Sequence, residues 1–176
     1  MQRRNAGTWV DADVYLLKPL DGERPYLFGY QDRSLINGAV LRLPPDAPLV
    51  AELLAIFDEQ TVPSWLPWIE RVRSRRRLKM KGRTGLAYMP WGVAGPQAIT
   101  ALARAQGLTD WAQPRGVFYP YHYSEAGWIL QPETGIARKV GSETVSIHLW
   151  NEVIKRFKDQ PAPTGSFLAR IQAEGE

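Results

Sequence analysis

Two carboxylates, Asp11 and Asp13, sit one residue apart inside the apolar run Trp9-Val10-Asp11-Ala12-Asp13-Val14-Tyr15-Leu16-Leu17. Val10, Val14, Tyr15, Leu16 and Leu17 are strand formers, and Gly7 and Pro19 punctuate the ends. Side chains alternate faces along a strand, so a strand here turns both carboxylates the same way, close enough to share one cation. Like charges held together in an apolar setting are costly unless something positive neutralises them. A divalent ion does so. Carboxylate oxygens suit hard ions such as Mn2+ or Mg2+, whose remaining positions take water or substrate phosphate. An Asp-x-Asp pair also arises readily at a strand end or in a turn of a chain with 18 acidic residues, so the pair needs further donors.

One of only two histidines supplies a candidate. Thr144-Val145-Ser146-Ile147-His148-Leu149 reads as a strand that delivers an imidazole, then Trp150 and Asn151, into a loop or helix start. A neutral imidazole can join two aspartates around an ion, although a hydrogen-bonded core histidine is the commoner role. Asn37-Gly38 interrupts the apolar run from Leu35 to Leu43. Such a pair announces either a hairpin turn or a bulge at which backbone and amide face a ligand. Gly95-Pro96 reads as the start of a helix ending near Gly107, and its first N–H groups are able to meet an anion.

These residues need a scaffold. Tyr26 to Tyr30 and Ser34 to Leu43 read as strands, and a helix follows Pro48 with Leu49, Leu53 or Leu54, Ile56 and Phe57 as its apolar stripe. Ser64 to Arg77 is amphipathic, with Ser64 as N-cap and Trp65, Trp68, Ile69 and Val72 interleaved with arginines. That mixture suits an anionic membrane surface; packing of the tryptophan side into the core is the more common outcome. Leu78 to Lys81 alternates like an edge strand, and Val117 to Tyr123 reads as an aromatic strand. The segment after about residue 159, with Pro161, Pro163 and Gly165, reads as loosely attached to a single domain spanning residues 1–176.

The composition, 44% hydrophobic and 11% aromatic, supports a packed core and argues against extensive disorder. No apolar stretch approaches the ~20 residues of a membrane helix, and Met1 to Asn5 lacks the apolar region of a signal peptide. The absence of cysteine excludes disulfides and thiolate metal sites and fits a reducing compartment. A cytoplasmic location follows, with the segment from Trp65 to Arg83 as a point of contact at the inner face of the membrane. The net charge of +4 is local: eight of the 22 cations (Arg71, Arg73, Arg75, Arg76, Arg77, Lys79, Lys81, Arg83) fall in that segment.

Five blocks in order, Gly7 to Leu20, Ile36-Asn37-Gly38-Ala39-Val40, Gly95-Pro96-Gln97-Ala98-Ile99-Thr100, Phe118-Tyr119-Pro120 and Ile147-His148-Leu149-Trp150-Asn151, resemble a family of retaining glycosyltransferases. These are DXD-motif enzymes of the alpha-1,4-glycosyltransferase group, with capsular polysaccharide and mannosyltransferase relatives. The resemblance implies a GT-A-like α/β fold, a mixed sheet flanked by helices. It also implies a nucleotide-diphosphate sugar donor, usually a UDP-sugar, a saccharide or glycolipid acceptor, and a Mn2+ or Mg2+ ion. Carried over residue by residue, Asp11, Asp13 and His148 hold the ion. Asp11, Asn37, Gly38, Trp150 and Asn151 bind the donor. Retention follows from the resemblance alone, and no residue stands out as a covalent nucleophile.

Such enzymes build the nucleotide-base pocket from strands and helices ahead of the Asp-x-Asp strand, whereas ten residues precede Asp11 here. The resemblance therefore leads us to expect an N-terminally truncated version of the fold, with the absent half lying upstream or coming from a second chain. Two rivals stand beside this reading: a non-catalytic basic module for nucleic acid or anionic membrane, and an inactive transferase remnant.

Overall fold

The computed structural model describes residues 1–90 and 92–175. Its architecture is mixed α/β, with two small antiparallel sheets and six α-helices among the described residues. Strands β3 (Leu27–Tyr30) and β4 (Ile36–Arg42) carry the β-branched and aromatic residues that fit a half-buried pleated surface. The short connection between them enforces antiparallel pairing, because a parallel pair needs a long crossover. Strand β1 (Trp9–Val10) adds to the other edge of β4, giving the order β1-β4-β3. Strand β2 (Val14–Leu16) instead pairs with β5 (Ser146–His148), placing Val14 opposite His148. Every pairing between these strands is antiparallel, in place of the expected mixed sheet.

The Asn37-Gly38 pair makes no hairpin turn. Both residues lie within β4, where the pairing with β3 loses register between Leu27–Arg42 and Gly29–Asn37. Asn37 is buried and occupied locally, its Nδ2 donating to Gln31 Oε1 and its Oδ1 accepting the Ala39 N–H.

Helices α1 (Pro48–Ala55) and α3 (Pro96–Ala105) each begin with proline, whose missing N–H costs nothing in a first turn. They cover β3 and β4 with Leu49, Val50, Ile99 and Leu102 packed against Phe28, Ile36 and Leu43. Thr100 fastens α3 to the sheet: its hydroxyl accepts the Ile36 N–H at 2.8 Å and donates to the Pro96 carbonyl at 2.6 Å. A second cluster, with Tyr121, Trp128, Ile129 and Phe167, lies under β5 and the helices α5 (Asn151–Ile154) and α6 (Phe167–Glu174). Phe118 and Tyr119 pack with Leu27, Ala39 and Val40 in a third.

Four local expectations are corrected. Leu78 to Lys81 is the last turn of α2 (Trp68–Lys81), because a run of arginine and lysine propagates a helix until Gly82 ends it at φ 69°. The same helix starts after Pro67, not at Ser64. Val117 lies in the short helix α4 (Arg115–Phe118), Tyr119 to Tyr121 are not in a strand, and Tyr123 opens a 3-10 segment that runs to Leu130. The segment after 159 is anchored: the Ser166 hydroxyl caps α6 by accepting from the Ala169 N–H, and Phe167 and Leu168 are buried.

Candidate metal centre

The backbone crosses from one sheet to the other through Asp11-Ala12-Asp13. The Asp11 N–H donates to the Ala39 carbonyl of β4 at 2.8 Å, and the Asp13 carbonyl accepts from the Leu149 N–H just beyond β5 at 2.8 Å. Between them the Val14 N–H donates to the Asp11 carbonyl and closes a turn. The two acids therefore flank a turn at the seam between the sheets, not one strand face as i and i+2. Strand alternation is the wrong reason for their proximity, yet they are close.

Ligand atoms of Asp11, Asp13 and His148 all lie within 4.8 Å of one another. The imidazole Nε2 of His148 is 3.2 Å from Asp13 Oδ2, and the same oxygen accepts the Asn151 N–H at 2.8 Å. Its bond to His148 is the main reason that the Asp13 carboxyl is held below its ordinary range; partial burial opposes this, and the Asn151 N–H adds to it. The Trp9 indole N–H donates to Asp11 Oδ1, fixing the other carboxylate from two residues upstream in β1.

His148 is only 7% exposed, and its Nδ1 is buried with no hydrogen-bond partner among the described residues. Trp150 lies against it with ring centroids 4.0 Å apart. Trp150 adopts a left-handed backbone, φ 56° and ψ 55°, which is uncommon for a residue with a side chain. Its indole N–H anchors to the Tyr121 carbonyl at 2.9 Å. The side chain of Asn151 is exposed, and its Oδ1 accepts from Lys158.

A cavity of about 560 Å³ opens beside Asp11, and Asn37, Gly38, Gly95 and Pro96 contribute to its wall. Thus the N-terminus of α3 and the Asn-Gly segment share one space with a carboxylate of the triad. Trp150 and Asn151 stand on the Asp13 side and do not line it. Trp9 and Tyr119 are additions that the spacing of polar residues did not single out. Trp9 precedes Asp11 by two residues, a legible i, i+2 signal, and it lines the cavity. Tyr119 is fully buried and accepts the Val40 N–H at 3.0 Å, with its ring 5.9 Å from that of His148. Burial pushes its phenol far above the usual range, so it remains a neutral hydroxyl.

The donor set fits a divalent ion. Two carboxylates suit hard ions such as Mn2+ and Mg2+, and an imidazole nitrogen extends the range to borderline ions such as Zn2+ and Fe2+. Compared with known protein families, curated proteins and solved structures, the chain matches none.

Proposed function

We propose that the protein is a metal-dependent glycosyltransferase with a GT-A-like arrangement, moving a sugar from a nucleotide-diphosphate donor, a UDP-sugar first, to a saccharide or glycolipid acceptor. The observation that carries this reading is the convergence of Asp11, Asp13 and His148 beside a cavity bordered by Asn37, Gly38 and a helix N-terminus. Asp11, Asp13 and His148 would hold Mn2+ or Mg2+, which when bound supplies Lewis-acid stabilisation to a departing diphosphate.

The protein's own groups do the rest. The bonds that Asp13 receives keep it a carboxylate at neutral pH. Trp150 covers one face of the His148 ring and shields it from water. The first turn of α3 borders the cavity through Gly95 and Pro96 and contributes its dipole more than free donors, because Pro96 has no N–H and those of Gln97 and Ile99 donate to the Gly92 and Gly95 carbonyls. Asn37 and Gly38 form wall against the sugar, through backbone more than amide because the Asn37 side chain is already engaged. Leu54 and Phe57, the latter 66% exposed, give the cavity an apolar rim on which the base or sugar of the donor would rest.

The test is Mn2+-dependent hydrolysis of a UDP-sugar. Turnover abolished by Asp13→Ala supports the proposal; Mn2+ binding without turnover, with or without added acceptor, identifies an inactive remnant. The rival reading, a non-catalytic basic module for nucleic acid or anionic membrane, would use the exposed cations of α2. Salt-sensitive oligonucleotide binding that survives Asp13→Ala but not charge removal at Arg75 to Arg77 decides for it.

A further inference from the structure

Helix α2 is turned inside out relative to a scaffold helix. Its sheltered side carries Glu70, Arg71, Ser74, Arg77 and Leu78, of which only Ser74 is buried. Its open side carries Trp68, Ile69, Val72 and Met80, with Trp68 68% and Met80 69% exposed. At 100° per residue these four fall within one 120° arc, and Arg76 and Lys79 lie inside that arc. Arg73 and Arg75 flank it. Trp65 is half-buried and donates to the Val93 carbonyl, so the open surface begins at Trp68 and not at Trp65.

The helix is nevertheless fastened. Arg77 stacks over the Tyr88 ring at 3.8 Å, Gln60 donates to the Gly82 carbonyl at 2.6 Å, and the Thr84 N–H donates to the Glu59 carbonyl at 2.7 Å. The helix, tied down at its C-terminal end, thus presents apolar side chains outward among cations. A groove of about 280 Å³ lies between Arg73, Arg76, Arg77, Met80 and Lys81.

We propose that this side of α2 docks parallel to an anionic phospholipid bilayer. The cations are complementary to lipid phosphates, and the outer lip of the groove, where Arg73 and Arg76 stand beside the Met80 thioether, suits a phosphodiester headgroup with its glycerol behind it. The apolar set decides against a nucleic-acid partner. Ile69, Val72 and Met80 gain nothing from a phosphate backbone and cannot stack on bases as aromatic rings do, but they gain from immersion at the headgroup boundary, where Trp68 is also at home. The proposal does not depend on sugar transfer.

Flotation with phosphatidylglycerol–phosphatidylcholine vesicles tests it. Partitioning falls more than about tenfold on pure phosphatidylcholine, on Arg75→Glu/Arg76→Glu, and separately on Trp68→Ser/Met80→Ser. Both double variants change outward side chains, and unchanged circular dichroism confirms that they are folded. Absence of binding to the mixed vesicles overturns the proposal, as does full binding by Trp68→Ser/Met80→Ser. Displacement by a single-stranded oligonucleotide that binds the apolar variant equally well overturns it in favour of nucleic acid.

Discussion

Val14 stands opposite His148 in the β2–β5 ladder, and that register brings the imidazole to Asp13. A slip of one residue would turn His148 to the other side of the sheet. Asp13 and His148 are therefore coupled in folding as well as in any binding of an ion. Replacing Asp13 by Ala removes the acceptor of both the His148 ring and the Asn151 N–H and should cost about 1–3 kcal/mol. Urea unfolding measures the cost. In the same variant Mn2+ affinity, followed by electron paramagnetic resonance, should fall by more than about tenfold. Unchanged affinity would remove Asp13 from the ligand set.

Gly38 packs closely against α3. A Cβ there would stand 2.7 Å from Ile99 Cδ1, the free end of a side chain that can turn aside. Gly38→Ala should therefore cost no more than about 1 kcal/mol, and Ile99→Val, which deletes that methyl group, should remove the clash in the double variant. Gly29→Ala should be worse and not rescued in this way, since its Cβ would meet the Gln113 carbonyl oxygen at 3.2 Å as well as Phe118. Thermal unfolding of the three variants orders them.

Phe167 tests the anchored end of the chain. It is buried, meets Tyr15 edge to face at 5.1 Å and lies against Trp128. Phe167→Ala should cost about 3–5 kcal/mol, far more than a loose segment permits. Because Tyr15 belongs to β2, protection of the β2–β5 amides from hydrogen exchange should fall with it.

Glu125 links three segments. It accepts from Lys139, from the His122 N–H and from Arg115, and Lys139 is the main reason that its carboxyl lies below the ordinary value of 4.5. A depressed folded-state value means that the folded chain releases this proton more readily than the unfolded chain. The stabilising contribution is complete above about pH 4.5 and is lost as the pH falls through the folded-state value. Glu125→Gln should flatten the acid limb of a stability–pH curve while lowering the plateau at neutral pH. An acid limb of unchanged steepness would assign it to other carboxylates.

The candidate ligand residues are legible because charge in an apolar run needs a reason, and the reason does not depend on the element that carries it. Asp11 and Asp13 were expected on one strand and stand in a turn between two, yet their proximity holds because a turn also brings i and i+2 together. The elements were harder to read where short alternation competes with propensity. Four residues at Leu78 to Lys81 cannot outweigh a helix already running through arginines. Val117 to Tyr123 looked like a strand by composition, but Pro120 has no N–H to give to a ladder. The prolines near 161 hid the cap at Ser166 and the apolar pair behind it.

The late arrival of β5 has a consequence for biosynthesis. Asp11 and Asp13 are synthesised well before the imidazole and before the helix that clamps Tyr15. A nascent chain thus carries two acids with no third donor, and the proposed ion site is assembled in one step, when β5 zips onto β2.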